Sequence, residues 1–230
     1  MRSRTNSQQL RAKIELASAR LDAVIDVVWG SPHLAEIYPE ILFVLFSITR
    51  SSVPLMEAAR EVMLGRYESD PLLPGMVEYL NRHIVEETGH DDLVLRDLER
   101  LGVRSSEVLS RMSPAPIAFL AGAQYYWIYH FHPIALLGYI AVLEGNPPDA
   151  DEFRGIAGRS GIPMEAMSTL FLHADVDHHH RHELDALLDG LPLTEKDAST
   201  LGISAFHTLD LLAEAFEEVL KRKSTLRAKA

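Results

Sequence analysis

A histidine-rich stretch, FLHADVDHHHRHELD, has the residue types and the spacing of a metal site. A helix turns by about 100° per residue, which places His173, Asp177 and His180 on one stripe two turns long. Two imidazoles and one carboxylate on one side of a helix form a ligand set that suits ferrous iron or manganese. The alternative is a polar helix that happens to be rich in histidine. The shared phase of the three residues favours the metal site.

A second candidate pair lies in the segment NRHIVEETGHDDL. Glu87 and His90 are three residues apart, so a helix would place them on one face. Helical carboxylate-bridged iron sites use this Glu-x-x-His pairing. His83 lies one turn before Glu87. A solvated charged face is the alternative, and this segment alone does not decide between the two.

Glu144 ends the apolar run GYIAVLEG. A carboxylate is poorly placed at a helix C-terminus, where the dipole is negative, and its charge is costly to bury without a partner. Escape of the side chain to solvent would remove these costs, and so would a bound metal. Together the candidates supply three carboxylates and three imidazoles, enough for two metal ions. They are Glu87, His90, Glu144, His173, Asp177 and His180.

Helices separated by short Pro, Gly and Ser turns account for the chain, and no stretch shows convincing strand alternation. We therefore predict an all-α bundle that forms a single domain over residues 1–230. The main helices are expected at about residues 8–28, 34–63, 74–101, 114–145, 163–188 and 194–223.

The helix expected at 114–145 is apolar almost all round, which predicts a central position, with a kink at Pro133. By simple helical phase, Tyr126 and His130 fall near the face of Glu144. We predict that these two residues line a substrate pocket. Core packing is the alternative for most of the aromatic residues in this helix.

Composition narrows the function classes. The net charge of −11 disfavours a nucleic-acid partner or an anionic membrane surface, because both need clustered Lys and Arg. The apolar stretches 41–48 and 133–143 are too short to span a bilayer. The absence of cysteine excludes disulfides, thiolate nucleophiles and cysteine metal sites. We expect a cytoplasmic protein, and a homodimer, since dimers are the common assembly.

The combined pattern resembles the haem-oxygenase-like diiron oxidases and oxygenases. It consists of Glu-x-x-His, a Glu some fifty-odd residues later, and His-x-x-x-Asp-x-x-His, running from Glu87 to His180. The resemblance implies a seven-helix bundle of the haem-oxygenase type. It also implies two ferrous ions, one of them weakly bound, with dioxygen as co-substrate and a reductase as a candidate partner.

Members of that family N-oxygenate amines, decarboxylate fatty acids or cleave carbon–carbon bonds of amino acids. The resemblance therefore implies oxidation of a small molecule and leaves the substrate open. Two relatives of the fold fit less well. The thiaminase-like proteins use a catalytic cysteine, which this chain lacks. Haem oxygenases use a proximal histidine, for which His33 is the only candidate, and that interpretation leaves Glu87, Glu144 and His173 unexplained.

Two other classes remain open. One is a cofactor-free oxidase of the same fold, similar to the enzyme that completes pyrroloquinoline quinone. It would need a pocket lined by Arg and His, and the helix expected at 163–188 offers several His but only Arg181 as a nearby base. The other is a non-enzymatic helical binding protein, in which the polar helix faces would be solvated or form a dimer contact.

Overall fold

The computed structural model describes residues 4–66, 68–145 and 149–227, with side chains described as far as residue 221. Helices account for most of these residues and none lies in a strand, which confirms the all-α prediction. The helices are α1 Asn6–Ala17, α2 Ala19–Trp29, α3 Leu34–Arg66, α4 Leu73–Glu87, α5 His90–Arg100, α6 Ser105–Ser110, α7 Ala115–His130, α8 Ala135–Leu143, α9 Ala150–Ser160, α10 Ser168–Gly190 and α11 Glu195–Arg227, with a short 3-10 helix at Met164–Met167.

These described segments number eleven α-helices, rather than the seven that the resemblance implies. The difference arises because several expected helices are broken. The helix expected at 74–101 ends at Glu87 and restarts at His90. Thr88 has extended backbone (ψ 121°), and Gly89 has a φ of 91°, which is a left-handed conformation that glycine adopts at little steric cost. Glu87 and His90 therefore lie at two facing helix ends.

The helix expected at 114–145 is also broken rather than kinked. Helix α7 ends at His130 and α8 begins at Ala135. Pro133 lacks the N–H that a continuous helix would use. The His132 ring accepts a hydrogen bond from the Ile134 N–H (3.0 Å), which satisfies one free donor at the start of α8.

Helix α3 is longer than the apolar stretches seen in the sequence. Among the described residues it is the one helix long and apolar enough to cross a membrane by length and composition. However, 56% of its most apolar window is buried inside the fold, and the helix packs on α4, α5 and α7. Its apolarity is that of a core helix.

Helix α8 lies at the centre, with Ala135 to Ala141 all buried, and it packs mainly on α11. The close approach depends on Gly138. A Cβ there would overlap the Leu201 carbonyl oxygen and lie 2.9 Å from the Ser204 Cβ. The position of α8 matters because Glu144 directly follows its last residue.

Helix α10 is fixed at its start by Asp97, a fully buried residue of α5. The Asp97 carboxylate accepts hydrogen bonds from the Thr169 N–H (2.8 Å) and from the Ser168 hydroxyl (2.5 Å). Arg100 pairs with Asp97 at 2.9 Å and donates to the Glu165 carbonyl. A buried carboxylate at a helix N-terminus is favourable because it satisfies free N–H groups and the dipole. This contact sets the position of α10 relative to α5.

We predict that Gly138→Ala lowers the free energy of unfolding by about 1–3 kcal/mol, because the added methyl group forces α8 and α11 apart. Urea unfolding measures the change. Gly122→Ala is the matched control: this exposed α7 position has open space around it, and the substitution should stabilise by about 0.5–1 kcal/mol. Equal effects at both positions would contradict the close contact.

We also predict that Asp97→Asn costs about 2 kcal/mol, because an amide accepts fewer of the hydrogen bonds at the α10 N-terminus. Asp92→Asn, at an exposed position of the same helix, should change stability by less than about 0.5 kcal/mol. Thermal unfolding of the two variants side by side tests this. A neutral Asp97→Asn would show that the contact does not fix α10.

Candidate metal centre

Four segments bring their polar side chains to one place in the core. They are the last turn of α4, the first residue of α5, the residue after α8, and two turns of α10. All six predicted ligands meet here, and His83 joins them; the side chains of most of these residues are less than 10% exposed. The residues are His83, Glu87, His90, Glu144, His173, Asp177 and His180.

The first cluster consists of Glu87, His90 and His173, whose ligand atoms lie within 4.8 Å of one another. The His90 Nδ1 donates to Glu87 Oε2 (2.9 Å), and the rings of His90 and His173 lie 4.9 Å apart. The His173 Nδ1 donates to the Thr169 carbonyl (2.8 Å). A histidine that binds a metal commonly donates its other ring N–H to a backbone carbonyl in this way, which leaves Nε2 free to bind the metal.

The second cluster consists of His83, Glu87, Glu144 and His180, again within 4.8 Å. The His83 Nε2 lies 2.7 Å from Glu144 Oε1, and the rings of His83 and His180 are 4.7 Å apart. The His180 Nδ1 lies 3.7 Å from Glu87 Oε1. The two oxygens of Glu87 therefore face different clusters, which is the arrangement of a carboxylate that can bridge two ions.

Asp177 lies at the edge of the second cluster, with its Oδ1 3.8 Å from the His180 Nδ1. Burial, and then the nearby charges of Glu144 and Glu87, raise the pKa of Asp177 to about 8. A carboxylate with so high a pKa is one whose charge is poorly compensated by its neighbours. A cation at this position would compensate that charge.

Burial and charge act on the other groups in different directions. Burial alone raises the pKa of Glu87, but the hydrogen bond from His90 and the nearby imidazoles outweigh it, so the pKa falls below its ordinary value. Burial, the largest single effect, lowers the pKa of His83, but the hydrogen bond to Glu144 and the charges of the nearby carboxylates together outweigh it, and the pKa rises. For His180, burial prevails and the pKa falls, which favours the neutral ring that a metal needs.

The donor set fits a bound metal. Within the described part of the chain, four buried polar atoms at this site have no hydrogen-bond partner, and unpartnered buried polar atoms are rare in folded proteins. Imidazole nitrogens and carboxylate oxygens are also the ligands that ferrous iron prefers. The unpartnered atoms are the His83 Nδ1, the Glu144 Oε2, the Asp177 Oδ1 and the His180 Nδ1.

A cavity of about 350 Å³ opens beside the clusters. His83, Glu87, Glu144, His173 and Asp177 form its polar end. The rest of the wall is mainly apolar, and it comes from α2, α3, α8, α10 and α11, with representative residues Ile25, Trp29, Leu45, Met56, Leu143 and Phe216. The volume lies in the range of small-molecule sites, roughly 300–1,000 Å³.

The prediction that Tyr126 and His130 line the pocket is wrong. The Tyr126 side chain is 64% exposed and packs on the exposed His130 (ring centroids 4.9 Å apart), and neither lines the cavity. The helical phase from Glu144 does not carry across the break at Pro133. Helix α8 instead contributes Tyr139 and Ile140 to the cavity wall.

His83 is the site residue that the six-residue prediction left out. Its sequence signal is its spacing, since it lies four residues before Glu87 and so on the same helix face. Its partnership with Glu144 joins residues 61 apart in sequence and could be seen only in the fold. His33, the candidate haem ligand, pairs with Glu36 and does not line the cavity.

Comparison with solved structures shows a shared fold. A domain of unknown function with a haem-oxygenase-like fold from Shewanella denitrificans OS217 aligns with a TM-score of 0.76 at 19% identity, covering 97% of this chain and 93% of that one. A TenA homologue from Pseudomonas syringae pv. tomato DC3000 aligns with a TM-score of 0.71 at 16% identity, covering 93% and 92%. At these identities the likeness concerns the fold alone.

Curated proteins gave no match to the sequence. Residues 70–213 match the family described as iron-containing redox enzymes, and this range includes every residue of both clusters. The family description names iron, and the imidazole and carboxylate groups at this site are suitable ligands for that metal. The chain therefore belongs to the family of iron-containing redox enzymes.

Proposed function

We propose that this protein is a non-haem diiron oxygenase or oxidase that uses dioxygen to oxidise a small organic substrate. The observation that carries the proposal is the position of Glu87, whose two oxygens face two separate buried histidine clusters at the end of an apolar cavity. Membership of the iron-containing redox family supports the choice of iron.

Each ion would have its own set of ligands, and Glu87 would belong to both sets. Glu87, His90 and His173 would hold one ion, and Glu87, Glu144, Asp177 and His180 would hold the other. Ferrous iron bound here would supply the electrons that activate dioxygen. Repeated turnover would then need an electron donor, for which we propose a separate reductase.

The apolar wall would orient the substrate and exclude water from the polar end. No Arg or Lys is among the described residues that line the cavity. A substrate would therefore be held by its apolar part, with the reacting carbon or nitrogen directed toward the clusters. This favours a substrate with an aliphatic or aromatic moiety over a small, fully polar one.

The competing classes account for fewer of these features. A cofactor-free oxidase needs cationic residues in its pocket, and the described wall offers none. In a binding protein the polar faces would be solvated, whereas Glu87, His90, Asp177 and His180 are buried. The thiaminase-like reaction needs a cysteine, and the chain has none.

We predict that the anaerobic protein binds two ferrous ions per chain and develops a transient visible absorption when oxygen is added. His173→Ala should lose at least one equivalent, because it removes a ligand of the first cluster. His182→Ala, on an exposed face of the same helix, should keep both. Iron analysis after gel filtration gives the count. Unchanged iron content in His173→Ala would contradict the assignment.

We predict that aliphatic compounds of medium length, such as 1-decanol, stabilise the protein by binding in the cavity. At 100 times the dissociation constant the gain is about 2.7 kcal/mol, or a rise in melting temperature of roughly 5–10 °C. Leu45→Trp should remove this rise by filling the cavity, while metal binding stays unchanged.

Val27→Trp is the matched control, because Val27 is an exposed residue of α2 outside the cavity wall. It should keep the full rise in melting temperature. A rise that persists in Leu45→Trp would show that the compound binds elsewhere.

A further inference from the structure

We propose that His83 is a ligand of the second metal ion, which makes the centre one of four histidines and three carboxylates. This inference rests on the diiron site proposed above and adds a residue to it. Each ion would then receive two imidazoles. His90 and His173 would serve the first ion, and His83 and His180 the second.

The position of His83 carries the inference. It lies one turn before Glu87 on α4, its side chain is 2% exposed, and it forms part of the cavity wall. Its Nε2 is 2.7 Å from Glu144 Oε1, and one of its two ring nitrogens lies within 4.8 Å of a ligand atom of Glu87 and of His180. An ion that Glu87, Glu144 and His180 share would therefore be within reach of His83 as well.

The orientation of the ring supports the same role. The ring of His83 stacks on Tyr79, with centroids 5.1 Å apart and planes 20° apart. The ring of His180 meets it edge-on. Packing thus holds the His83 Nε2 toward the cluster. A side chain whose orientation is already fixed by its neighbours loses less conformational freedom when it binds a metal.

The surroundings of the other ring nitrogen, Nδ1, also fit a histidine that binds a metal through Nε2. Its Nδ1 is buried without a hydrogen-bond partner among the described residues, and Glu86 Oε2 lies 3.6 Å away. A small shift would let Nδ1 donate to this carboxylate. Ligating histidines commonly donate their second N–H to a carboxylate, which fixes the ring and strengthens the nitrogen that binds the metal.

A purely structural role is the competing explanation, in which His83 only pairs with the buried charge of Glu144. His83→Gln separates the two roles. A glutamine amide can still donate a hydrogen bond to Glu144, but a carboxamide is a weak ligand compared with an imidazole. A structural role should survive this substitution, and a ligand role should not.

Cobalt(II) is the probe, and the readout is the proton spectrum of the cobalt-loaded protein. Each cobalt-bound imidazole contributes one exchangeable ring N–H signal that is shifted far downfield. We expect four such signals in the wild-type protein and in the control His182→Gln, and three in His83→Gln. The second equivalent of cobalt should also bind on the order of 100-fold more weakly to His83→Gln, with the first unchanged.

Unfolding of the metal-free variants verifies that each is folded. Two cobalt ions bound with equal affinity by wild type and His83→Gln, with the same number of shifted signals, would overturn the role of His83 and leave the diiron site standing. A wild-type protein that binds no cobalt and no ferrous iron would overturn the proposed function, and the role of His83 with it.

Discussion

Three carboxylates lie close together at one end of a buried cavity, and much of the surrounding structure serves to hold them there. Burial and mutual repulsion leave the charge of Asp177 poorly compensated, with a pKa of about 8, although four histidines surround the group. Isolated charges are expensive in a protein core. Metal ions held by these carboxylates would balance this charge and satisfy the oxygens that lack partners.

Three of the candidate ligands are brought together because they lie at helix ends. Glu87 and His90 face each other across the break at Thr88–Gly89, and Glu144 follows the last residue of α8. Helix α10 is continuous instead, and the buried Asp97 holds its N-terminus in place. Ligands on rigid, fixed elements keep their geometry.

The sequence predicted the local part of this arrangement well. Spacings of three and four residues placed His173, Asp177 and His180 on one face, and helical patterning without strand alternation predicted the all-α class. It could not predict where helices break, since Gly89 and Pro133 act through backbone conformations that tertiary packing selects. For this reason helical phase correctly related His173 to His180 within one helix. It failed to relate Tyr126 to Glu144, because the helix breaks between them. His83 belongs to the site through Glu144, a contact that no local spacing predicts.

The family match places the protein among the iron-containing redox enzymes. We propose in addition that it holds two ions that share Glu87. Diffraction from crystals loaded anaerobically with ferrous iron, recorded at the iron absorption edge, tests that claim most directly. We predict two anomalous peaks that flank the Glu87 carboxylate, one beside His90 and His173 and the other beside His180. Peaks located away from Glu87, or a fully loaded crystal with iron on one side of this carboxylate only, would contradict a two-ion centre that shares Glu87.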